Sequence, residues 1–271
     1  MADTILDRIM ARKREEVAAA RRRITESGLL AECRGAAPTR GFAAALQEKV
    51  AARQPAVIAE VKLGSPSRGR IHPPELPFDP ATIAEGYARQ GACCISCLTD
   101  RDFFFGDGAY VARIRERIDL PVLRKDFLYD PYQVLESRFL GADAILLIMA
   151  VLELPQALEL EEAARELGLD VLVEVHDEAE LERAHRLRTP LLGINNRNLK
   201  SFVTDLETTF RLSRMAETTR LVVSESGIRD ANDLRRLMDQ GIHAVLIGES
   251  FMKESDPGAA LGRMLEGVAN Y

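Results

Sequence analysis

The stretch ADAILLIMAVLELPQALELEEAARELGLDVLVEVH, residues 142–176, decides the fold. It opens with an apolar run ending near Met149, too short for a buried helix and rich enough in β-branched and long aliphatic residues for a buried strand. LPQALELEEAARELG follows, with Ala157, Leu160, Ala164 and Leu167 spaced by three and four, the period of one helix face. Gly168 supplies the stop at the helix C-terminus, and DVLVEVH begins a second apolar run. The unit is strand, helix, glycine, strand.

The same unit repeats in both directions. Further strands are predicted at 56–62, 93–99, 121–127, 191–196, 220–226 and 243–250, which with 142–149 and 170–176 makes eight. Helical spacing lies between most of them, in PATIAEGYARQ, PYQVLESRFL, DEAELERAHRL and DANDLRRLMDQ, and Gly91, Gly141 and Gly241 stand where Gly168 does. Eight alternations at roughly 25–30 residues each predict a (β/α)8 barrel, a fold of about 250 residues. The competing architecture is a doubly wound open sheet, but no G-x-G-x-x-G follows the first strand. Residues 1–45 precede the barrel as a helical extension, and no low-complexity linker divides the chain, so 1–271 is expected to be one barrel domain.

Composition narrows the function. The chain of 271 residues is 46% hydrophobic and 29% charged with a net charge of −6, an ordinary globular balance that lacks the basic excess of a nucleic-acid binder. No apolar run approaches the roughly 20 residues that span a bilayer. MADTILDRIMARKREEVAAARRR alternates charge and apolar residues without the continuous core of a secretory signal, which predicts a helix packed on the body and a cytoplasmic address. Of the four cysteines, Cys33, Cys93, Cys94 and Cys97, the last two are an odd number of positions apart and would face opposite sides of a strand. No second Cys/His cluster completes a zinc set, so small buried side chains are expected there and no metal or organic cofactor is implied.

Barrels of this class carry their sites at the C-terminal strand ends. The first strand ends in Glu60 and Lys62, the third in Lys125, the fifth in Glu174, the sixth in Asn195 and Arg197, the seventh in Glu225 and Ser226, and the eighth in Gly248, Glu249 and Ser250. Taken singly, each polar residue reads as a solvated edge or a surface ion pair. Taken together they converge from several strands on one mouth, where buried charges must be paired or used and where enclosure tunes amines and carboxylates for proton transfer. SESGIRD and LIGESF follow strands seven and eight, where such barrels bind phosphate. Gly227 and Gly248 would let backbone N–H groups approach an oxyanion, with Ser65 as a further donor from the first loop.

AEVKLGSPSRG, PVLRKDFLYDPYQV, ADAILLI, LVEVHDEAEL, GINNRNL, SESGI and LIGES, in that order across nearly the whole chain, resemble the indole-3-glycerol phosphate synthase family of tryptophan biosynthesis. The resemblance implies a carboxy-lyase that closes the ring of 1-(2-carboxyphenylamino)-1-deoxyribulose 5-phosphate, giving indole-3-glycerol phosphate, carbon dioxide and water. It implies Lys125 as general acid, Glu174 as a catalytic carboxylate beside it, Lys62 as a second amine near phosphate or hydroxyls, and Glu60 as an orienting group. Asn195 and Ser226 would be polar positioning residues and Glu225 a supporting carboxylate. Arg197 and Ser65 would hold the substrate's carboxylate or phosphate end, a guanidinium suiting a planar carboxylate through two parallel bonds, while Phe127 and Leu146 would line an apolar slot for the aromatic ring. Weak association with other enzymes of the pathway is also an expectation. Two segments depart from the family pattern: LTDRDFFFGDGAY after the second strand, and Glu249, where a small hydroxyl residue stands in some members and where a carboxylate turned inward would oppose a phosphate. The competing readings are a phosphoribosyl isomerase, which by resemblance relies on a cysteine and an aspartate at its strand ends, and a catalytically silent barrel, which has no need of so many buried charges.

Overall fold

The computed structural model describes residues 4–199 and 202–269. Strands β1 (Ala56–Val61), β2 (Cys94–Leu98), β3 (Val122–Lys125), β4 (Ala144–Ile148), β5 (Asp170–Val175), β6 (Leu191–Asn195), β7 (Leu221–Glu225) and β8 (Ala244–Ile247) form a closed parallel barrel in chain order, with β8 returning to β1. This is the (β/α)8 barrel that the alternation predicts. The turns back into the sheet use Gly91, Gly141, Gly168 and Gly241, each at φ between 70° and 94°, a region open to glycine at little cost.

Period-two alternation divides the strands between two cores. Ile58, Cys94, Leu123, Leu146, Leu172, Leu191 and Leu246 fill the barrel interior, while Val57, Val61, Ile95 and Cys97 pack outward under the helices. Cys94 and Cys97 thus face opposite layers as the spacing requires, and all four cysteines are free thiols. Among the described residues no group of His, Cys, Asp and Glu is arranged to hold a metal ion. No described helix is long and apolar enough to cross a membrane.

Helices α1 (Ile5–Arg23), α2 (Glu26–Cys33) and α3 (Phe42–Ala51) precede the barrel, so the helical segment runs six residues beyond position 45. α3 plugs the N-terminal end of the barrel with fully buried Phe42 and Leu46. Its start has no side-chain cap of its own; Asp170 at the foot of β5 accepts from the Ala43 N–H at 2.9 Å instead. α1 begins with a reciprocal cap, Thr4 Oγ1 accepting from Asp7 N–H and Asp7 accepting from Thr4 N–H.

The strands are a little shorter than expected. The difference matters most at β8: the run predicted to 250 stops at Ile247, and Glu249 opens a short helix, Glu249–Met252. Gly248, at φ −128° and ψ −63°, leaves the strand conformation there.

Candidate active site

A cavity of about 540 Å³ opens at the C-terminal ends of the strands. Every site residue named from the sequence lines it: Glu60, Lys62, Ser65, Lys125, Phe127, Leu146, Glu174, Asn195, Arg197, Glu225, Ser226, Gly227, Gly248 and Glu249. At its floor the Lys125 ammonium donates to Glu174 Oε2 at 2.8 Å and to Glu225 Oε2 at 3.2 Å. Burial opposes the charge on Lys125, but the carboxylates of Glu174, Glu225 and Glu60 outweigh it and hold the amine protonated, above its ordinary range. Glu174 is likewise penalised by burial, yet Lys125 and His176 keep it ionised, well below the usual carboxylate range. Glu225 goes the other way. Burial, together with repulsion from Glu174 and Glu60, exceeds the help from Lys125, and its carboxyl is pushed up to about 8. The two carboxyls that share this lysine are thus shifted in opposite directions, the usual arrangement of an acid beside a base.

Local backbone choices make this packing feasible. A Cβ at Gly193 in β6 would lie 2.2 Å from Glu225 Oε1, and one at Gly248 would lie 2.4 Å from Glu60 Oε1. Both glycines vacate the volume that a carboxylate fills. For Gly248 this adds a reason that the sequence reading, directed at an oxyanion, did not contain. Glu60 Oε1 also pairs with the Lys62 ammonium at 2.5 Å, two positions along the same strand face. Asn195 accepts from Arg197 N–H at 3.0 Å, which fixes its amide so that Nδ2 donates to Glu174 Oε1 at 3.2 Å. Behind β7, the buried Asn196 amide ties Ser224 Oγ and the carbonyls of Glu225 and Ser226, each at 3.0 Å, to Thr209. Ser226 itself sits at φ +65°, an uncommon conformation for a serine.

At the rim, Arg197 donates to Glu249 at 2.8 Å and to Ser67 Oγ at 3.3 Å, and Arg68 pairs with the other Glu249 oxygen at 3.2 Å. The Glu249 carboxylate is turned toward two guanidiniums rather than away from the mouth, which holds it below its ordinary range despite partial burial. The other departure from the family pattern, the loop after β2, is organised by Asp100, which accepts from the N–H groups of Phe103 and Phe104. Phe104 thereby lines the cavity and packs on Phe127, ring centroids 6.0 Å apart.

The sequence reading missed the contribution of α1. Ile5, Leu6 and Ile9 form part of the cavity wall. Lys13, buried one turn further on, pairs with Asp100 after β2 and Asp126 after β3, both at 2.9 Å. Burial works against the Lys13 charge, but these partners keep it protonated, and Asp126 is drawn down to about 2. Ile9, Lys13 and Val17 follow one another at four-residue steps, so the signal was a lysine on an apolar stripe. Lys13→Met should destabilise the fold by about 3 kcal/mol, since removing one member of a buried ion cluster strands its partners. Urea unfolding checks this; a midpoint within error of the parent would refute it.

Glu225 makes a pH prediction. From its ordinary value of 4.5 to about 8, the folded state keeps a proton that the unfolded chain has released. Its stabilising contribution is complete below about 4.5 and is lost as pH rises through 8. Between pH 5 and 8 the melting temperature of Glu225→Gln should therefore gain on that of the parent, and above about pH 9 the gap should stay level. A gap constant over the whole range would contradict the assignment.

Residues 6–264 match the Indole-3-glycerol phosphate synthase family. A protein of that name from Magnetococcus marinus is 59% identical over 96% of this chain and 97% of its own length. One from Paracidovorax citrulli is 51% identical over 96% and 98%. Among solved structures, tryptophan synthase subunit alpha from Legionella pneumophila aligns with a TM-score of 0.64 at 14% identity, over 87% of this chain and 100% of that one, a likeness of fold alone. A family match over residues 6–264 and relatives 51% and 59% identical along 96% of its length mean that the chain belongs to the indole-3-glycerol phosphate synthase family.

Proposed function

We propose that this barrel closes the pyrrole ring of 1-(2-carboxyphenylamino)-1-deoxyribulose 5-phosphate, releasing carbon dioxide and water and leaving indole-3-glycerol phosphate. The observation that carries the reading is the buried Lys125 amine, 2.8 Å from Glu174 and 3.2 Å from Glu225, beside the apolar wall of Phe104, Phe127 and Leu146.

The ring carbon bearing the carboxylate attacks the ribulose carbonyl, and negative charge grows on the carbonyl oxygen. Lys125 donates a proton to that oxygen. The carbon–carboxylate bond then breaks, its electron pair restores the aromatic ring, and carbon dioxide leaves. The remaining hydroxyl departs as water after taking a proton from an acid, while a base removes the proton whose loss completes the indole. Glu174 is the ionised carboxylate in place for that proton. Glu225, which keeps its own to about pH 8, stands 3.2 Å from the amine that has given one up. Lys62, steadied by Glu60, serves the substrate hydroxyls and phosphate. Asn195 and Ser226 position, and Arg197 with Ser65 takes an anionic end of the substrate. Gly227 and Gly248 offer backbone N–H groups to the phosphate, and Arg68 and Arg197 neutralise the Glu249 carboxylate at the rim. The extension and barrel act as one catalytic unit in the cytoplasm, and weak association with other enzymes of the pathway belongs to the same reading.

The chain has no tryptophan, so it contributes no indole signal. Incubation with the substrate should give rising indole absorbance and one carbon dioxide per indole. Folded protein that produces neither would overturn the reading.

A further inference from the structure

We infer that His176 is a positioning residue for this reaction: its ring, set between Glu174 and Glu180, fixes the Glu174 carboxylate against Lys125 and supplies the second positive charge that balances it. The inference rests on Glu174 being the working carboxylate.

His176 follows β5 and shares a strand face with Glu174 two positions earlier. Its Nε2 lies 3.2 Å from Glu174 Oε1, an ion-pair distance off the hydrogen-bond line. Its Nδ1 lies 3.0 Å from Glu180 Oε2, and the same oxygen accepts from the His176 backbone N–H at 2.9 Å. Glu180 is fixed in turn, because its own N–H donates to Asp177 at the start of the helix Glu178–Ala184.

Both ring nitrogens thus face carboxylate oxygens. A neutral imidazole carries a lone pair on one nitrogen, and that lone pair would face an anion; only the doubly protonated ring suits both sides. Burial opposes the charge, but Glu174 and Glu180 prevail and push the ring up to about 10. The other groups bearing on this cluster are Lys125 from β3 and Asn195 from β6, both on Glu174, with Glu225 from β7 and Glu60 from β1 acting through Lys125.

The ring does not line the cavity, so it works through Glu174 and not on the substrate. Glu174 Oε1 is taken by His176 and Asn195, and Oε2 is left facing Lys125. When Lys125 passes its proton to the substrate, His176 is the cation that remains beside the carboxylate.

Nitrogen-15 NMR of the imidazole rings reads the charge without turnover, with the His176 signals assigned by their loss in His176→Asn. The ring should be doubly protonated at pH 8 in the parent, and in Glu180→Gln it should titrate within pH 6–9. In His176→Asn, kcat should fall about tenfold with KM within twofold. A ring neutral at pH 8, unchanged kcat, or a KM that rises as far as kcat falls would each overturn the inference. If His176→Asn does not fold, Glu180→Gln carries the test: its ring titration is read against the parent, with the signals assigned by elimination through substitution of the other three histidines. Failure of the underlying reading looks different: Glu174→Gln would then keep most of its activity whatever the charge on the ring.

Discussion

Lys125→Ala should lose about 10³-fold or more in kcat while keeping a barrel that melts cooperatively. General-acid transfer contributes roughly 10²–10⁴-fold, and a cation aimed at a developing oxyanion adds electrostatic stabilisation of similar size. Here one side chain supplies both. The fold survives because the truncated position lies at a cavity floor, where water can enter, and because Glu174 retains His176 and Asn195. Glu225, already protonated to about pH 8, needs no new proton at neutral pH.

The variant also dates the step. If Lys125 protonates the carbonyl oxygen as the carbon–carbon bond forms, carbon dioxide release and indole formation must fall together, because decarboxylation waits on that bond. A trapped-carbon-dioxide assay beside the indole assay checks it. Carbon dioxide released at the parental rate without indole would move Lys125 to the dehydration step. Activity within tenfold of the parent would remove it as general acid. Lys125→Arg should not rescue, since a guanidinium keeps its proton and has a different reach.

The parts that could be read from the sequence share a physical origin. Strand and helix periods are local, so the eight strands and their glycine stops were legible, and charges converging from several strand ends on one mouth must be paired or used. That logic found Glu60, Lys62, Lys125, Glu174, Asn195, Arg197 and Glu225 together. What it missed arises from contacts distant in sequence. The lysine at position 13 has meaning only once Asp100 and Asp126 are brought above it. Gly193 looks like a weak point in β6 until Glu225 occupies the space. Phe104 appeared as part of an odd aromatic run, and its place opposite Phe127 depends on the turn that Asp100 builds. The orientation of Glu249 was open in the sequence, and two arginines from separate loops draw it in. Each is a tertiary choice between conformations that the local sequence permits equally.

Glu174→Gln should reduce kcat by about 10²–10³-fold, and its pattern should differ from that of the lysine variant. A carboxylate offers two acceptor oxygens, and Glu174 uses both: one for Lys125, the other for Asn195 and His176. Glutamine has a single acceptor oxygen and an NH2 that only donates. Whichever way the amide turns, a donor meets a donor on one side, either the ammonium or the pair behind it. Lys125 also loses the carboxylate that does most to keep it charged, so the basic limb of kcat should move to lower pH. Lys125 still has Glu225 and remains mostly protonated near neutrality, so the first proton transfer persists at a reduced rate. Removal of the last proton is not restored to the same degree, because Glu225, freed of the repulsion from Glu174, is taken up as the counter-ion of Lys125. Carbon dioxide release should therefore be slowed less than indole formation, and a hydroxylated, decarboxylated intermediate should accumulate in rapid-quench samples. Equal losses in both signals would place Glu174 at the carbon–carbon step beside Lys125. Indole formation close to the parental rate would exclude it from proton transfer altogether and leave it as the counter-ion that keeps the amine in place.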